Sequence, residues 1–234
     1  MSALLPLPED IKHLLEEYLP GEKPFLTLTY AQSLDSRVSA GPGLRTVISH
    51  EQTKTMTHYI RAHHDAIVVG ISTFLADNPS LNCRYNLNKH KIRPVIIDPH
   101  FKSSSKLAGS KIVENYTNGT GLKPLIVVSR DVNSSSTEEF DVVHLKCVNG
   151  RFPWEIIVKK LHELGLPRIM VEGGAYIINS LLTEPKLVDS LIITIGPVFL
   201  GENGVSVSPG QNVTLENIKW WTGIQDSVIC ATLK

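Results

Sequence analysis

A single α/β domain, built on a mostly parallel sheet with an antiparallel C-terminal edge, is the fold class this sequence predicts. Three observations predict it. Short continuous apolar runs bounded by turn residues recur along the chain ("AIVVG", "RPVIID", "PLIVVS", "RIMV"), and such runs suit strands buried on both faces. Helical patterns separate several of them, the alternation that builds βαβ units. The last two apolar stretches, "VDSLIITIGPVFLG" and "SVICATL", read as long closing strands linked by "WWTG".

In chain order, Ile11, Leu14, Leu15 and Tyr18 fall at helical spacing, and Pro20-Gly21 stops that helix. Residues 1–23 are therefore expected as an N-terminal helical arm and residues 24–234 as one domain. "PFLTLTYA" alternates apolar and polar residues and reads as a strand. "SHEQTKTMTHYIRAHH" opens with a capping box of Ser49 and Gln52, and Met56, Tyr59 and Ile60 give its buried face. "AIVVG", "RPVIID" and "PLIVVS" follow as strands. The stretch between the last two, "PHFKSSSKLAGSKIVENYTNGTG", reads as a mobile surface segment, "NSSSTEE" as a loop and "DVVHL" as a short strand. In "FPWEIIVKKLHELG", Pro153 stands near the first helical position. Trp154, Ile157, Val158, Leu161 and Leu164 form one apolar stripe, and Gly165 ends the helix. "RIMV" is then a strand and "GAYIINSLL" a helix.

Composition narrows the function classes. The 234 residues include 23 basic and 23 acidic side chains, for a formal net charge of zero. A nucleic-acid partner is not expected, since no basic excess or stripe is present. Cys83, Cys147 and Cys230 are far apart and form no CxxC pair, so neither a metal site nor a disulfide framework is expected and a reducing, cytoplasmic setting is. The N-terminus has no basic n-region and no apolar run approaches the ~20 residues of a membrane span.

Three stretches carry candidate chemistry. In "IMVEGGAYIINSLL" a strand runs into Glu172, Gly173 and Gly174 and then a helix. Glycines at such a junction let a ligand approach the backbone, and the first helical amides are unpaired beside the positive end of the dipole, a combination that binds phosphate. The backbone of Gly173, Gly174, Ala175, Tyr176 and Ile177 is the expected cradle. A carboxylate is rarely buried without a partner, which marks Glu172 at the strand end where ligands bind open α/β sheets. In "GISTFLADNPSLNCR", Thr73 and Asp77 stand four apart, and Leu81 and Arg84 follow. This set suits a phosphorylated small molecule or, equally, a capped short helix and its loop. In "AQSLDSRVSAGPGLRTVIS", Ser33, Asp35 and Arg37 precede a glycine-rich loop. Asp35 and Arg37 can also simply pair across a turn.

Together with "RPVIID" and "VDSLIITIGPVFLG", these stretches resemble the riboflavin-pathway reductase family. The likeness spans roughly residues 25 to 233 and is nearest to its stand-alone fungal branch. The resemblance implies a dihydrofolate-reductase-like fold, a homodimer, NADPH as cofactor and a phosphorylated pyrimidine substrate whose ribosylamino side chain is reduced to ribitylamino. The zinc deaminase signature H-x-E…P-C-x-x-C of bifunctional relatives is missing, so reduction without deamination is expected. By motif, Thr73, Asp77 and the backbone from Gly173 through Ile177 would contact NADPH, with Phe152 a further candidate. Arg61, Leu81, Arg84 and Glu172 match substrate-side positions. Arg45 and Val47 stand where bacterial relatives have a serine and a tryptophan. Glu172 is the favoured general acid or cation stabiliser, with Asp77 and Asp35 behind it. Ser129 and Arg130 are candidate readers of the cofactor 2′-phosphate, and His58, His63 and His64 are read as helix-face residues. The rival readings are a dihydrofolate-type pterin reductase and a non-catalytic nucleotide-binding protein of the same fold.

Overall fold

The computed structural model describes residues 4–21, 23–85 and 91–234. Its strands are β1 (Phe25–Gln32), β2 (Arg37–Ser39), β3 (Ala66–Gly70), β4 (Arg93–Ile97), β5 (Leu125–Ser129), β6 (Asp141–Leu145), β7 (Arg168–Gly173), β8 (Ser190–Ile195), β9 (Val205–Ser206), β10 (Leu215–Thr222) and β11 (Ser227–Leu233). Its helices are α1 (Glu9–Glu16), α2 (Glu51–Arg61), α3 (Ile71–Asp77), α4 (Ser104–Leu107), α5 (Lys111–Thr117), α6 (Trp154–Glu163) and α7 (Ala175–Leu182). A nine-stranded sheet in the order β10-β11-β8-β1-β7-β3-β4-β5-β6 forms the centre. From β8 across to β6 all neighbours are parallel; β11 runs antiparallel to β8 and β10 antiparallel to β11. The expected parallel sheet with an antiparallel C-terminal edge is what forms.

The period of two decides which helix covers which face. Val68, Val95, Val127 and Val171 point to one side and pack with Ile157 and Leu161 of α6 and Ile178 and Leu181 of α7. Ile67, Val69, Ile96 and Ile126 point to the other and meet Phe74 of α3 and Ile112 of α5. On that same side, Met170 and Ile192 pack with Ile11 and Leu15 of α1 and Met56 and Ile60 of α2. After β3 the chain moves outward to β4, whereas after β7 it crosses to β8. Connections therefore diverge between the adjacent strands β3 and β7, and a crevice opens at their C-terminal ends.

The opposite end of the sheet is laced shut. Asp65 accepts from the backbone N–H and Nε of Arg168, both at 3.0 Å, and Leu26 N donates to Asp189 Oδ2 at 2.7 Å. Beneath α2, the Ser190 hydroxyl donates to Thr27 Oγ1 (3.2 Å), which lies 2.8 Å from His64 Nε2; His64 Nδ1 is 2.8 Å from the Ile60 carbonyl. The chain of bonds is consistent only if Nδ1 carries the proton and Nε2 accepts.

Several local readings change. The stretch between β4 and β5 is not a bare surface segment: it holds α4 and α5, whose Leu107, Ile112 and Val113 are buried. Asp98 satisfies the amides of Lys102 and Ser103 at 3.0 and 2.7 Å, a capping device hidden behind a run of serines. Helix α2 starts one residue later than its capping box suggests: His50 is the cap, and its Nδ1 accepts from Gln52 N at 3.2 Å. Trp220 and Trp221 lie within β10 and do not form the link; Trp221 is buried and donates to Asp10 Oδ2 of α1 at 2.9 Å. In the arm, α1 packs on the sheet through Ile11 and Leu15, while residues 1–3 and 22 of that expectation lie outside the described residues.

Burial pushes His64 down from 6.5 to about 4. Between those values the unfolded chain binds a proton that the folded protein does not, so stability rises with pH there. The contribution is complete above pH 6.5 and is lost as pH falls toward 4, by up to roughly 3 kcal/mol. Urea unfolding at stepped pH should show this decline, and His64→Gln should flatten it; an unchanged slope would exclude His64 as its source.

Candidate active site

The crevice at the C-terminal ends of β1, β7 and β3 is a cleft of about 1290 Å³. That exceeds the ~300–1,000 Å³ of a usual small-ligand pocket and leaves room for two ligands side by side. Its centre is the end of β7. Val68 of β3 pairs with Val171, but Val69 pairs with Gly173, so Glu172 is the extra residue of a β-bulge. Glu172 lies two residues after Met170, on the same α2 face, where both its oxygens accept from Arg61: Nε to Oε1 at 2.8 Å and Nη2 to Oε2 at 2.6 Å. The two side chains are 15% and 12% exposed, so the pair is largely removed from water.

The glycines make the other half of this strand end. Gly174 has φ of 90°, a left-handed conformation that disfavours side chains, and a Cβ there would sit 3.2 Å from Thr73 Oγ1. A Cβ on Gly70 would meet Ile177 Cδ1 at 3.0 Å. The starts of α3 and α7 are thus pressed together, with their unpaired amides at the same crevice. Thr73, Asp77, Phe152 and the backbone from Gly173 to Ile177 all line the cleft, as do Glu172, Arg61 and Arg84.

Leu81 does not join them. Its side chain is 2% exposed and plugs the core beneath α3, with φ of 43°. Its neighbour Asn82 does reach the site, since its carbonyl accepts from Arg61 Nη1 at 2.9 Å. The guanidinium of Arg61 is therefore held at three nitrogens by Glu172 and Asn82. Arg84 approaches His58 twice, with its backbone N–H 3.2 Å from Nδ1 and its Nε 3.0 Å from Nε2. Burial, then the charges of Arg61 and Arg84, push His58 down to about 3. A neutral imidazole has one bare nitrogen, so it accepts from the backbone or from the guanidinium, not from both.

The other carboxylates separate by environment. Burial raises Asp77, opposed by the charge of Arg45. Asp35 is held down at about 2 by the Ser33 hydroxyl first, then by the amides of Leu200 and Gly201 at 3.0 and 2.8 Å. It clasps two loops and does not line the cleft, unlike Glu172 and Asp77, the candidates ranked before it. His63 bonds the Tyr59 carbonyl on the helix surface. Ser129 and Arg130 do not line the cleft, whereas Arg45 and Val47 do. Sequence reading overlooked Lys54 and Thr57 and took His58 only as a helix-face residue; all three line the cleft with Arg61. Their spacing of i, i+3, i+4 and i+7 is a polar helical stripe and was the available signal. Among the described residues no cluster of His, Cys, Asp or Glu suits a metal ion.

Comparison with known proteins shows the family. Residues 24–229 match the family described as the RibD C-terminal domain. The 2,5-diamino-6-ribosylamino-4(3H)-pyrimidinone 5′-phosphate reductase of Debaryomyces hansenii is 50% identical, over 99% of this chain and 99% of that protein. The protein of the same name from Saccharomyces cerevisiae is 45% identical over 99% and 98%. The solved riboflavin biosynthesis reductase Rib7 of Saccharomyces cerevisiae superposes with a TM-score of 0.83 at 42% identity, covering 96% of this chain and all of the other.

Gly174→Asp adds bulk and charge where the helix amides converge, and Gly174→Ala adds bulk alone. Isothermal titration with ADP should show affinity falling roughly 10-fold in the alanine variant, from strain of order 1–3 kcal/mol, and further in the aspartate variant. Equal affinity in all three proteins would place the diphosphate elsewhere.

Proposed function

Because the chain belongs to the RibD C-terminal domain family, we propose that it reduces 2,5-diamino-6-ribosylamino-4(3H)-pyrimidinone 5′-phosphate, converting the ribosylamino side chain to ribitylamino with the phosphate retained. The substrate is the one named for its relatives of 50% and 45% identity. One observation carries the reading: a single bulged strand end joins a glycine cradle suited to a diphosphate to a carboxylate gripped by arginine, with Arg84 alongside.

A nicotinamide dinucleotide, NADPH in this proposal, supplies hydride when bound. The residues present fit it. The amides from Gly173 to Ile177 would hold its diphosphate, with the Thr73 hydroxyl beside them, and Phe152 offers an apolar wall. On the other side of Glu172, Arg84 would take the substrate phosphate, turning from His58 to do so, and Lys54 adds charge on the same wall. Arg61 is already engaged, so its part is to position Glu172.

Reduction at the sugar C1′ needs a proton on the ring oxygen and tolerance of positive charge on the attached nitrogen as the ring opens. Glu172, with both oxygens serving as acceptors, is arranged to stabilise that charge. Burial raises the carboxyl of Asp77, which lines the same cleft and is the proposed source of the proton. A homodimer fits the exposed Ile218 and Trp220 on the edge strand β10 and the exposed Phe199 nearby in sequence. No described helix is long and apolar enough to cross a membrane. Cys83, Cys147 and Cys230 are free thiols, in keeping with a cytoplasmic site of action.

The test is NADPH oxidation followed by absorbance with the ribosylamino pyrimidine phosphate and, separately, with dihydrofolate. Turnover with the first alone is expected; turnover with the second alone would replace this reading by a pterin reductase, and turnover with neither would leave a non-catalytic protein. Glu172→Gln should lower kcat by roughly 10²-fold with the dissociation constant for NADPH within about 2-fold of wild type. Wild-type hydride transfer in stopped flow, in a variant shown by melting to be folded, would remove Glu172 from the chemistry.

A further inference from the structure

We infer that Arg151, stacked on Tyr176, binds the 2′-phosphate at the adenosine end of the dinucleotide and sets a preference for NADPH over NADH. The inference rests on the dinucleotide reading proposed above and assigns a residue that neither the sequence motifs nor the relatives' names supply.

The two faces of the sheet divide the cleft. Glu172, Arg61, Arg84 and His58 lie on the α2 side. The Gly173-Gly174 turn stands at the strand end, and α6 and α7 cover the opposite face. A dinucleotide whose diphosphate rests on that turn has one arm beside Glu172, where hydride is needed, so its other arm extends to the α6–α7 side. There the cleft is lined by Arg151, Phe152 and Tyr176, with His100 following β4.

Arg151 is held in place by a hairpin. Val148 N donates to the Arg151 carbonyl at 2.7 Å, and Arg151 N donates back to Val148 at 3.0 Å. The two residues between, Asn149 and Gly150, have φ of 50° and 74°, the positive pair that closes a two-residue turn of type I′. The turn sets Arg151 with its guanidinium carbon 4.6 Å from the centroid of the Tyr176 ring. Tyr176 is the second residue of α7, and its ring is half exposed. Among the described residues, no carboxylate forms an ion pair with Arg151, and stacking leaves the rim of the guanidinium free to donate in its own plane. A ring that offers a stacking face and a planar cation that offers paired donors are what an adenosine carrying a phosphate requires. Ser129 and Arg130, the sequence-based candidates for this phosphate, do not line the cleft.

The experiment compares adenosine 2′,5′-bisphosphate with 5′-AMP by isothermal titration, and NADPH with NADH by fluorescence, in wild type, Arg151→Ala and Tyr176→Leu, each checked by circular dichroism and melting. Wild type should bind the bisphosphate and NADPH more tightly than their counterparts. Arg151→Ala should weaken the bisphosphate and NADPH by roughly 10- to 100-fold, the range for hydrogen bonds to a charged group, and leave 5′-AMP and NADH nearly unchanged. Tyr176→Leu should weaken all four ligands alike, because stacking does not sense the 2′ position. An unchanged NADPH to NADH ratio in Arg151→Ala, or an equal loss for both adenosine ligands, would overturn the assignment while leaving the dinucleotide site standing. Wild type binding neither dinucleotide would instead overturn the underlying reading and this inference with it.

Discussion

The ion pair between Glu172 and Arg61 is the constraint on which the site depends. Taking two charges out of water costs several kcal/mol per ion, and removing one partner alone costs ~3–5 kcal/mol. Such a pair is weak grounds for stability, since an apolar replacement of equal volume often does better. Its value here is positional. Alternation along β7 puts Glu172 on the same α2 face as Met170, and the bulge leaves it without a partner on β3. Arg61 then fixes both oxygens and ties itself to the Asn82 carbonyl. One side chain thereby joins a strand end, a helix and the 80–84 loop, three elements with no reason of their own to hold register at this edge.

That precision needs a rigid base, and the base is the other end of the sheet. Asp65 with Arg168, Asp189 with Leu26, and the Ser190–Thr27–His64 chain all lie where β1, β7, β3 and β8 begin. The last of these anchors the C-terminal turn of α2 from below, and Arg61 stands in that turn. The buried polar groups at the two edges thus have different tasks. At the N-terminal edge they are satisfied among themselves and fix the strands. At the C-terminal edge they stand together in the cleft, where Glu172, Arg61, His58 and Arg84 meet.

What the chain reveals in advance follows from range. The apolar runs and helical stripes are local signals, and the parallel sheet and its antiparallel edge follow from them. The cleft residues carried by motifs, Thr73, Asp77, Arg61, Arg84 and the 172–177 turn, converge in the folded protein. Polar capping escapes that kind of reading. Nothing in "SSSKLAGSK" announces that buried Asp98 holds the amides just ahead of a helix, and tryptophans beside a glycine read as a turn until Asp10 supplies a partner for one of them 211 residues away. Asp35, the last-ranked candidate acid, bonds the amides of Leu200 and Gly201, contacts across 165 and 166 residues that no local pattern shows. Leu81 keeps its motif position, with φ of 43°, while its side chain packs in the core.

In the proposed reaction the same logic lets one turn serve two ligands. A strand end has two sides, and alternation would normally give successive residues to opposite faces. By inserting Glu172 as an unpaired residue and following it with two glycines, the chain offers a carboxylate on one face and bare amides on the end, with no side chain in between to separate them. The charges facing these groups are arranged to match, with Arg61, Arg84 and Lys54 on the α2 wall and Arg151 on the α6–α7 wall. In the proposed reaction the donor and acceptor of hydride must touch while their anionic ends stay apart. A bulged strand end with cations on both flanks meets both demands without moving any secondary element.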